Sequence, residues 1–161
     1  MLSLALAGCA SSSSGGASGS AVVKRVGDGD TLDVRSGLRV RLVQVDAPEL
    51  GEGECFARES KRELERLVPP GTAVELEPDR TLDDVDRYGR LLRYVMREAR
   101  NVNVELVRRG AATPYFFRGD RGRHAAELLA ALDEARRARR GMWGACRVTW
   151  TPTRAVDTRP R

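Results

Sequence analysis

Short runs of alternating apolar and polar residues dominate the chain from residue 21 onward. Val22–Val26 and Thr31–Val34 are separated by the turn signal Gly27-Asp28-Gly29-Asp30, and Leu38–Val45 follows a second turn at Ser36-Gly37. The last of these runs, LRVRLVQV, alternates at period two, as half-buried strands do, and clusters of Gly, Asp and Ser between such runs favour tight turns. We therefore predict three strands joined as a meander at the start of the folded domain.

The rest of the chain alternates between helix-like and strand-like patterns. Apolar residues at helical spacing, bounded by Pro, Gly or Asn, predict helices, and apolar alternation predicts strands. The helices are expected over Ala57–Val68, Val104–Arg109 and Arg123–Arg140, and the strands over Ala73–Glu77 and Leu91–Met96. Asn103 is the expected N-cap of the second helix. Five strands, with the first helix between the third and the fourth, predict an α+β, mainly β fold: a five-stranded OB-fold Greek-key barrel with three packed α-helices.

The first 20 residues have a different texture. Residues 1–8 are apolar and small, and residues 9–20 form a Ser/Gly-rich linker that begins with Cys9. The order of apolar segment, Leu6-Ala7-Gly8-Cys9 and polar tether resembles the lipobox of bacterial lipoproteins. That resemblance implies a signal segment cut before Cys9, lipidation of that residue, and an extracytoplasmic protein that is secreted or held to a membrane through the lipid alone. Because no Lys or Arg precedes the apolar segment, an ordinary apolar leader stays open.

Beyond the linker we expect one domain over residues 21–146 and a flexible basic tail over residues 147–161. No run in the chain approaches the roughly 18 apolar residues of a membrane span. Cys55 and Cys146 match no metal-ligand spacing. In an exported protein they are the candidates for one disulfide, whereas in a cytosolic protein they would be two buried thiols.

The charge balance favours a polyanionic partner. The chain carries 28 Lys and Arg residues against 23 Asp and Glu residues, a formal charge of +5, and Lys24 and Lys61 are its only lysines. The planar arginine fork suits phosphate groups. His124 is the single histidine, which excludes His-rich zinc sites and any mechanism that relies on two histidines. At the start of the last predicted helix, it is expected to be a surface or capping residue.

Three polar segments bring together carboxylates and arginines of the kind that phosphate chemistry uses. They are Asp28-Gly29-Asp30-Thr31 at a turn, Asp46-Ala47-Pro48-Glu49 at the end of the strand that carries Arg41, and Asp86-Arg87-Tyr88-Gly89-Arg90 before another strand. Taken singly, each is more typical of a turn than of a site. Side chains alternate along a regular strand, so Arg41 and Asp46 are not expected to be direct neighbours.

Together and in this order, DGDT, R-x4-DxPE and DRYGR resemble the motifs of the staphylococcal nuclease (thermonuclease) family. The resemblance runs from about Val22 to about Cys146 and includes NVELVRRG at Asn103–Gly110 and the segment Gly141-Met142-Trp143. It implies a Ca²⁺-dependent nuclease that hydrolyses DNA and RNA without regard to the sugar. By the same resemblance, the enzyme is an endonuclease that leaves 3′-phosphates. We also expect a preference for single-stranded substrates and a monomeric protein.

The resemblance also implies a role for individual side chains. The implied calcium ligands are Asp30, Asp46 and the main-chain carbonyl of Ala47; the implied general base is Glu49; and the implied phosphate-binding pair is Arg41 and Arg90. Physical chemistry favours this division, because hydrolysis of a phosphodiester builds negative charge on the equatorial oxygens of a five-coordinate transition state. A divalent cation and two guanidinium groups neutralise that charge, and a carboxylate takes the proton from water.

Substrate contacts are less constrained by the sequence. Tyr88 resembles a family residue near the phosphate, and Tyr115 and Phe116 belong to an aromatic run that can stack on bases, although aromatic runs are as often core. Two alternatives to the enzyme stay open. One is a non-catalytic nucleic-acid-binding module on the same barrel, against which the presence of Glu49 and both arginines argues. The other is a cell-surface interaction or structural domain.

Overall fold

Five strands close into a barrel in the computed structural model, which describes residues 18–161. The strands of the described part are β1 (Gly19–Asp28), β2 (Thr31–Val34), β3 (Arg39–Leu42), β4 (Val45–Asp46), β5 (Ala73–Glu77), β6 (Leu91–Arg97), β7 (Arg100–Asn101), β8 (Thr113–Pro114), β9 (Cys146–Thr149) and β10 (Asp157–Pro160). Its α-helices are α1 (Ala57–Leu67), α2 (Val102–Arg108), α3 (Ala125–Arg137) and α4 (Met142–Ala145). None of the helices in this range is long and apolar enough to cross a bilayer.

The barrel is closed by one parallel pairing. β1 pairs antiparallel with both β2 and β5, β2 pairs with β3, and β5 pairs with β6. The parallel pairing of β3 with β6, with Val40 opposite Leu91, completes the ring. This architecture confirms the predicted α+β, mainly β fold, a five-stranded OB-type barrel with three packed helices. The short helix α4 adds a single turn after them.

Apolar alternation fills the barrel and joins it to the helices. Leu32, Val40 and Leu42 are fully buried inside the barrel, and Leu64 covers it from α1. Helix α3 buries a stripe at positions 125, 128, 131, 132 and 135, the spacing of one helical face. The core thus holds the strand ends, and the loops that leave them, in fixed positions.

The predicted strand Leu38–Val45 is interrupted, which corrects the expectation for Arg41 and Asp46. β3 ends at Leu42, the chain turns at Val43-Gln44, and Gln44 takes a left-handed backbone conformation with φ 61°. The Gln44 side chain holds this turn: Nε2 donates to the carbonyl of Asp120 at 2.7 Å, and Oε1 accepts from the Gly122 amide at 2.8 Å. The turn reverses the alternation of faces and brings Asp46 against Arg41.

The N-cap of α2 is Asn101 rather than Asn103. Asn101 Oδ1 accepts from the amides of Asn103 and Val104 at 3.0 and 3.3 Å. Asn103 is fully buried, its Oδ1 accepting from the Val95 amide at 3.0 Å and its Nδ2 donating to the Val43 carbonyl at 2.8 Å. Asn103 therefore joins α2 to the barrel beside the Gln44 turn. Its side chain supplies hydrogen bonds that buried main-chain groups need, and a local sequence pattern does not reveal this role.

The prediction of a flexible tail over residues 147–161 is wrong. β9 and β10 form an antiparallel hairpin, with Thr149 opposite Asp157 and Cys146 opposite Pro160. Trp150 Nε1 donates to the carbonyl of Pro114 at 2.7 Å, and Val156 is 5% exposed. These contacts hold residues 147–161 against the domain, although their composition alone favours a flexible tail.

The two ends of the predicted domain also differ from expectation. β1 begins at Gly19, so the linker expected over residues 9–20 ends before it. Residues 1–17, with the predicted signal segment and Cys9, lie outside the described residues.

Cys55 and Cys146 are joined in a disulfide across a sequence separation of 91 residues, which removes the alternative of two free thiols.

Candidate active site

Two buried carboxylates lie at adjoining ends of the barrel strands. Asp30 ends the tight turn between β1 and β2, and Asp46 ends β4. The turn packs closely on α1, because a Cβ at Gly29 would collide with Ser60 and Ala47. The amide of Ala47 donates to Asp30 Oδ2 at 3.0 Å and so ties the turn to the chain that follows β4. Glycine at position 29 is therefore what allows this turn to pack against Ser60 and Ala47.

The guanidinium of Arg41 joins these carboxylates. Its Nη2 lies 2.8 Å from Asp46 Oδ1 and 2.9 Å from Asp30 Oδ2, and the Arg41 side chain is 13% exposed. The pKa of Asp46 is raised to about 6, chiefly by burial; Arg41 lowers it and the nearby Asp30 carboxylate raises it. The two acids thus form a site that favours a positive charge beside them.

Glu49 stands three residues beyond Asp46 on an exposed loop. Its amide donates to the Glu54 carboxylate at 2.7 Å, which fixes the backbone of the loop. Partial burial raises the pKa of the Glu49 carboxyl to about 7, and the carboxylates of Asp30 and Asp28 contribute in the same direction. A carboxyl with a pKa in this range accepts a proton readily near neutral pH, as a general base requires.

Arg90 is held at the rim by its own loop. Its Nε donates to Asp86 Oδ2 at 2.6 Å, and its amide donates to Asp86 Oδ1 at 3.0 Å. The guanidinium groups of Arg87 and Arg90 lie 4.7 and 5.3 Å from the centre of the Tyr88 ring, which is 67% exposed. The DRYGR segment therefore presents an aromatic face and two positive charges to solvent.

A cleft of about 550 Å³ is lined by both arginines and by exposed aromatic rings, whereas Asp30, Asp46 and Glu49 do not line it. Its lining includes Arg41, Tyr88, Arg90, Tyr115 and Phe117. Arg41 thus belongs both to the cleft and to the pair of buried carboxylates. The geometry brings the two sequence-predicted arginines to one surface, with a positive charge and aromatic faces on its walls.

The three aromatic residues at positions 115–117 are placed differently from the prediction. Phe116 is 1% exposed and packs in the core, so its ring is not available to stack on a base, which corrects its assignment as a substrate contact. Phe117 is 52% exposed and lines the cleft, and Tyr115 is half-buried on the same wall. Phe117 belongs to the same predicted aromatic run but was not chosen as a substrate contact, because three successive aromatic residues carry no periodicity that distinguishes the inward ring from the outward one.

The donors fit a hard divalent cation. Asp30, Asp46 and a main-chain carbonyl at Ala47 are oxygen ligands, the type that Ca²⁺ and Mg²⁺ prefer. Within residues 18–161, no three carboxylate, imidazole or thiol groups converge as a ready-made metal cluster. A cation at this place would therefore need the main-chain oxygen, and water, in addition to the two carboxylates.

Neither His124 nor Val156 was predicted to belong to the site. His124 stacks edge-on against Tyr94, with ring centres 4.6 Å apart, and its Nδ1 lies 2.9 Å from Glu127, so it packs at the start of α3 rather than lining the cleft. The amide of Val156 donates to Asp46 Oδ2 at 2.9 Å. No sequence signal indicates that contact, because it is made by the main chain 110 residues away.

Comparison with known proteins gives a consistent set of relatives. The family model described as staphylococcal nuclease homologue matches residues 39–145. A micrococcal nuclease of Shigella flexneri is 35% identical over 133 residues, which cover 75% of this chain and 71% of that protein. An uncharacterized endonuclease of Escherichia coli O157:H7 is 37% identical over 125 residues, covering 75% of this chain and 74% of that protein. Endonuclease YhcR of Bacillus subtilis strain 168 is 32% identical over 137 residues, 76% of this chain and 11% of that protein.

Proposed function

The chain belongs to the staphylococcal nuclease homologue family, and on that premise we propose that it is a calcium-dependent nuclease. The proposed reaction is endonucleolytic hydrolysis of phosphodiester bonds in DNA and RNA, with a preference for single strands. The observation that carries the proposal is the position of Arg41, which contacts Asp30 and Asp46 and also lines the cleft with Arg90. A binding module needs the cleft but has no need of the buried acids or of Glu49.

The proposed division of roles follows from the donors and charges. Asp30, Asp46 and the carbonyl of Ala47 would hold Ca²⁺, which supplies positive charge at the phosphate oxygens and favours ionisation of water. Arg41 and Arg90 would bind the phosphate through their planar forks and neutralise the charge that develops on its equatorial oxygens. Both arginines are held by carboxylates, at 2.8 and 2.6 Å, so their positions are set before substrate binds.

Glu49 would accept the proton of the attacking water. The water oxygen bonds to phosphorus, the bond from phosphorus to the 5′-oxygen breaks, and that oxygen takes up a proton from solvent. The products are a 3′-phosphate and a 5′-hydroxyl, as family resemblance implies. The pKa of about 7 that partial burial gives Glu49 makes the carboxylate a stronger base than an ordinary glutamate.

The rim of the cleft would hold the bases on either side of the scissile phosphate. Tyr88, Tyr115 and Phe117 present aromatic surface there. Stacking on aromatic side chains requires unpaired bases and is tolerant of sequence. This supports single-stranded DNA and RNA as substrates.

Digestion of heat-denatured DNA and of RNA by the purified protein tests the proposal. We expect cleavage with Ca²⁺ and none with EGTA, with 3′-phosphate ends on the products. DNA binding that weakens as salt is raised, without cleavage in Ca²⁺ or Mg²⁺, would instead identify the non-catalytic binding module. The absence of both DNA binding and cleavage would favour the cell-surface interaction or structural domain.

We further propose that the protein works as a monomer outside the cytoplasm, tethered through Cys9. The Cys55–Cys146 disulfide supports export, because disulfides persist in oxidising compartments. Expression of the full chain in bacteria, followed by fractionation, tests the anchor. We expect the protein in the membrane fraction and its release to the soluble fraction on Cys9→Ser; an unchanged distribution would contradict the anchor.

A further inference from the structure

The C-terminal hairpin reaches into the candidate active site. The amide of Val156 donates to Asp46 Oδ2 at 2.9 Å, while Arg41 occupies Oδ1 of the same carboxylate at 2.8 Å. Val156 and Asp46 are both buried, at 5% and 7% exposure. The two donors therefore fix the plane of the carboxylate, and one of them comes from the main chain of the hairpin.

The hairpin also holds the far end of the loop that carries Glu49. The amide of Cys55 donates to the Thr158 carbonyl at 3.3 Å, and Thr158 Oγ1 donates to the Cys55 carbonyl at 2.8 Å. The disulfide joins the same Cys55 to Cys146, the first residue of β9. The Glu49 loop is thus bounded at one end by the Val156 contact and at the other by the disulfide and Thr158.

Further contacts anchor the hairpin to the strand beside β4. Trp150 Nε1 donates to the carbonyl of Pro114, and the amide of Phe116 donates to the carbonyl of Pro152, both at 2.7 Å. The β8 strand, which contains Pro114, pairs with β4, with Thr113 opposite Asp46. The hairpin is therefore attached, through β8, to the strand that presents Asp46.

From these contacts we propose that residues 146–160, here called the C-terminal clamp, position Asp46 and the Glu49 loop for metal binding and catalysis. The Val156 amide is its positioning group, because it touches the carboxylate rather than substrate. This inference rests on the proposed metal-dependent activity and deepens it. The family model matches only as far as residue 145, so the clamp lies beyond the matched region.

The expected effect follows from how metal ligands are oriented. A donor to a ligating carboxylate fixes its direction, and loss of such a partner typically weakens metal binding by about 10–100-fold. Loss of the Val156 amide is therefore expected to lower the affinity for a cation without changing any ligand.

The test removes this donor by substitution with proline and measures Ca²⁺ binding by calorimetry in the absence of substrate. We expect Val156→Pro to bind Ca²⁺ about tenfold or more weakly than the unaltered chain and to require correspondingly more Ca²⁺ for cleavage. Ala155→Pro, at the exposed neighbouring position, is the matched control and is expected to keep the original affinity. Val156→Ala keeps the amide and separates loss of the side chain from loss of the donor.

Equal Ca²⁺ affinities for Val156→Pro and Ala155→Pro would overturn the inference. If Val156→Pro fails to fold, the double variant Cys55→Ser, Cys146→Ser loosens the clamp at its other end, and it is measured at a temperature where it is fully folded. Weaker Ca²⁺ binding by that variant supports the clamp, and unchanged binding overturns it. An unaltered chain that neither binds Ca²⁺ nor cleaves would instead contradict the proposed function, so the two failures are distinguishable.

Discussion

Arg41 Nη2 donates to Asp46 Oδ1 at 2.8 Å, across a chain reversal that separates the two residues onto different strands. The same nitrogen lies 2.9 Å from Asp30. Both acids are buried, so Arg41 provides the positive charge that their ionised forms require. A cation bound by the same acids would share this task and leave the guanidinium free to bind a phosphate.

Replacement of Arg41 tests whether the two buried acids depend on its positive charge. Because the change leaves two buried acids without their partner, we expect Arg41→Ala to lower the free energy of unfolding by about 3–5 kcal/mol without Ca²⁺. Ca²⁺ should restore more stability to the variant than it adds to the unaltered protein. Denaturant unfolding with and without Ca²⁺ measures both quantities. Arg39→Ala is the matched control, since its pair with Asp33 is exposed to solvent and is expected to contribute little to stability. Equal Ca²⁺ effects in all three proteins would contradict the account.

A second prediction concerns acid stability and Asp79. Burial alone would raise the pKa of Asp79, but hydrogen bonds from the amides of Arg123 and Thr81 hold the pKa below its usual value. A lowered pKa means that the folded protein favours the carboxylate. Its stabilising contribution is therefore complete above about pH 4 and is lost as the pH falls below that value.

We expect Asp79→Asn to lower the free energy of unfolding at pH 7 by about 1–3 kcal/mol. The difference from the unaltered protein should narrow as the pH approaches 2. Denaturant unfolding across this range measures the effect, with Asp83→Asn, at an exposed position of the same loop, as control. A difference that is constant with pH would show that the Asp79 carboxylate does not contribute in this way.

The aromatic residues should separate into binding and stability groups. Tyr88→Ala and Tyr115→Ala are expected to weaken binding of a fluorescent single-stranded oligonucleotide in EGTA by about 1–3 kcal/mol per stacked base, with little effect on stability. Phe116→Ala is expected to cost about 3–5 kcal/mol of stability, because Phe116 is a core residue. Oligonucleotide affinity that falls equally in all folded variants would contradict this division.

The disulfide should contribute strongly to stability. Its closed loop spans 91 residues, and the entropy model gives about 4–5 kcal/mol for a loop of this size. We expect the double variant Cys55→Ser, Cys146→Ser to unfold at a markedly lower temperature than the unaltered chain. Cys9→Ser in the full chain is the control for loss of a cysteine outside the pair. An unchanged unfolding temperature would mean that the hairpin and its anchors hold the fold without the disulfide.

The barrel was predictable because its strands are encoded locally. The alternation in residues 73–77 predicts a strand with one buried face, and the structure has a strand with these bounds. Residues 31–34, which lie between two turn signals, also form the predicted strand. The turn at Gln44 was not predictable, because its left-handed conformation depends on partners at Asp120 and Gly122, far away in sequence. That single turn decides whether Arg41 meets Asp46.

The site residues were found by motif rather than by geometry. Glu49 and Arg90 sit in segments whose order and spacing are distinctive, although each is an ordinary turn by itself. The contribution of the hairpin could not be predicted, since a main-chain amide at Val156 has no side-chain signature. Main-chain contacts between segments that are distant in sequence therefore cannot be predicted from sequence patterns.

The central claim is that Glu49 activates water in a Ca²⁺-dependent nuclease. Its most direct test compares cleavage of heat-denatured DNA by Glu49→Gln and by Glu52→Gln, a matched change on the same exposed loop. Because general-base catalysis contributes about 10²–10⁴-fold, we expect Glu49→Gln to lose at least that factor at saturating Ca²⁺, while oligonucleotide binding and Glu52→Gln stay close to the unaltered protein. Cleavage by Glu49→Gln at the rate of Glu52→Gln would contradict the account.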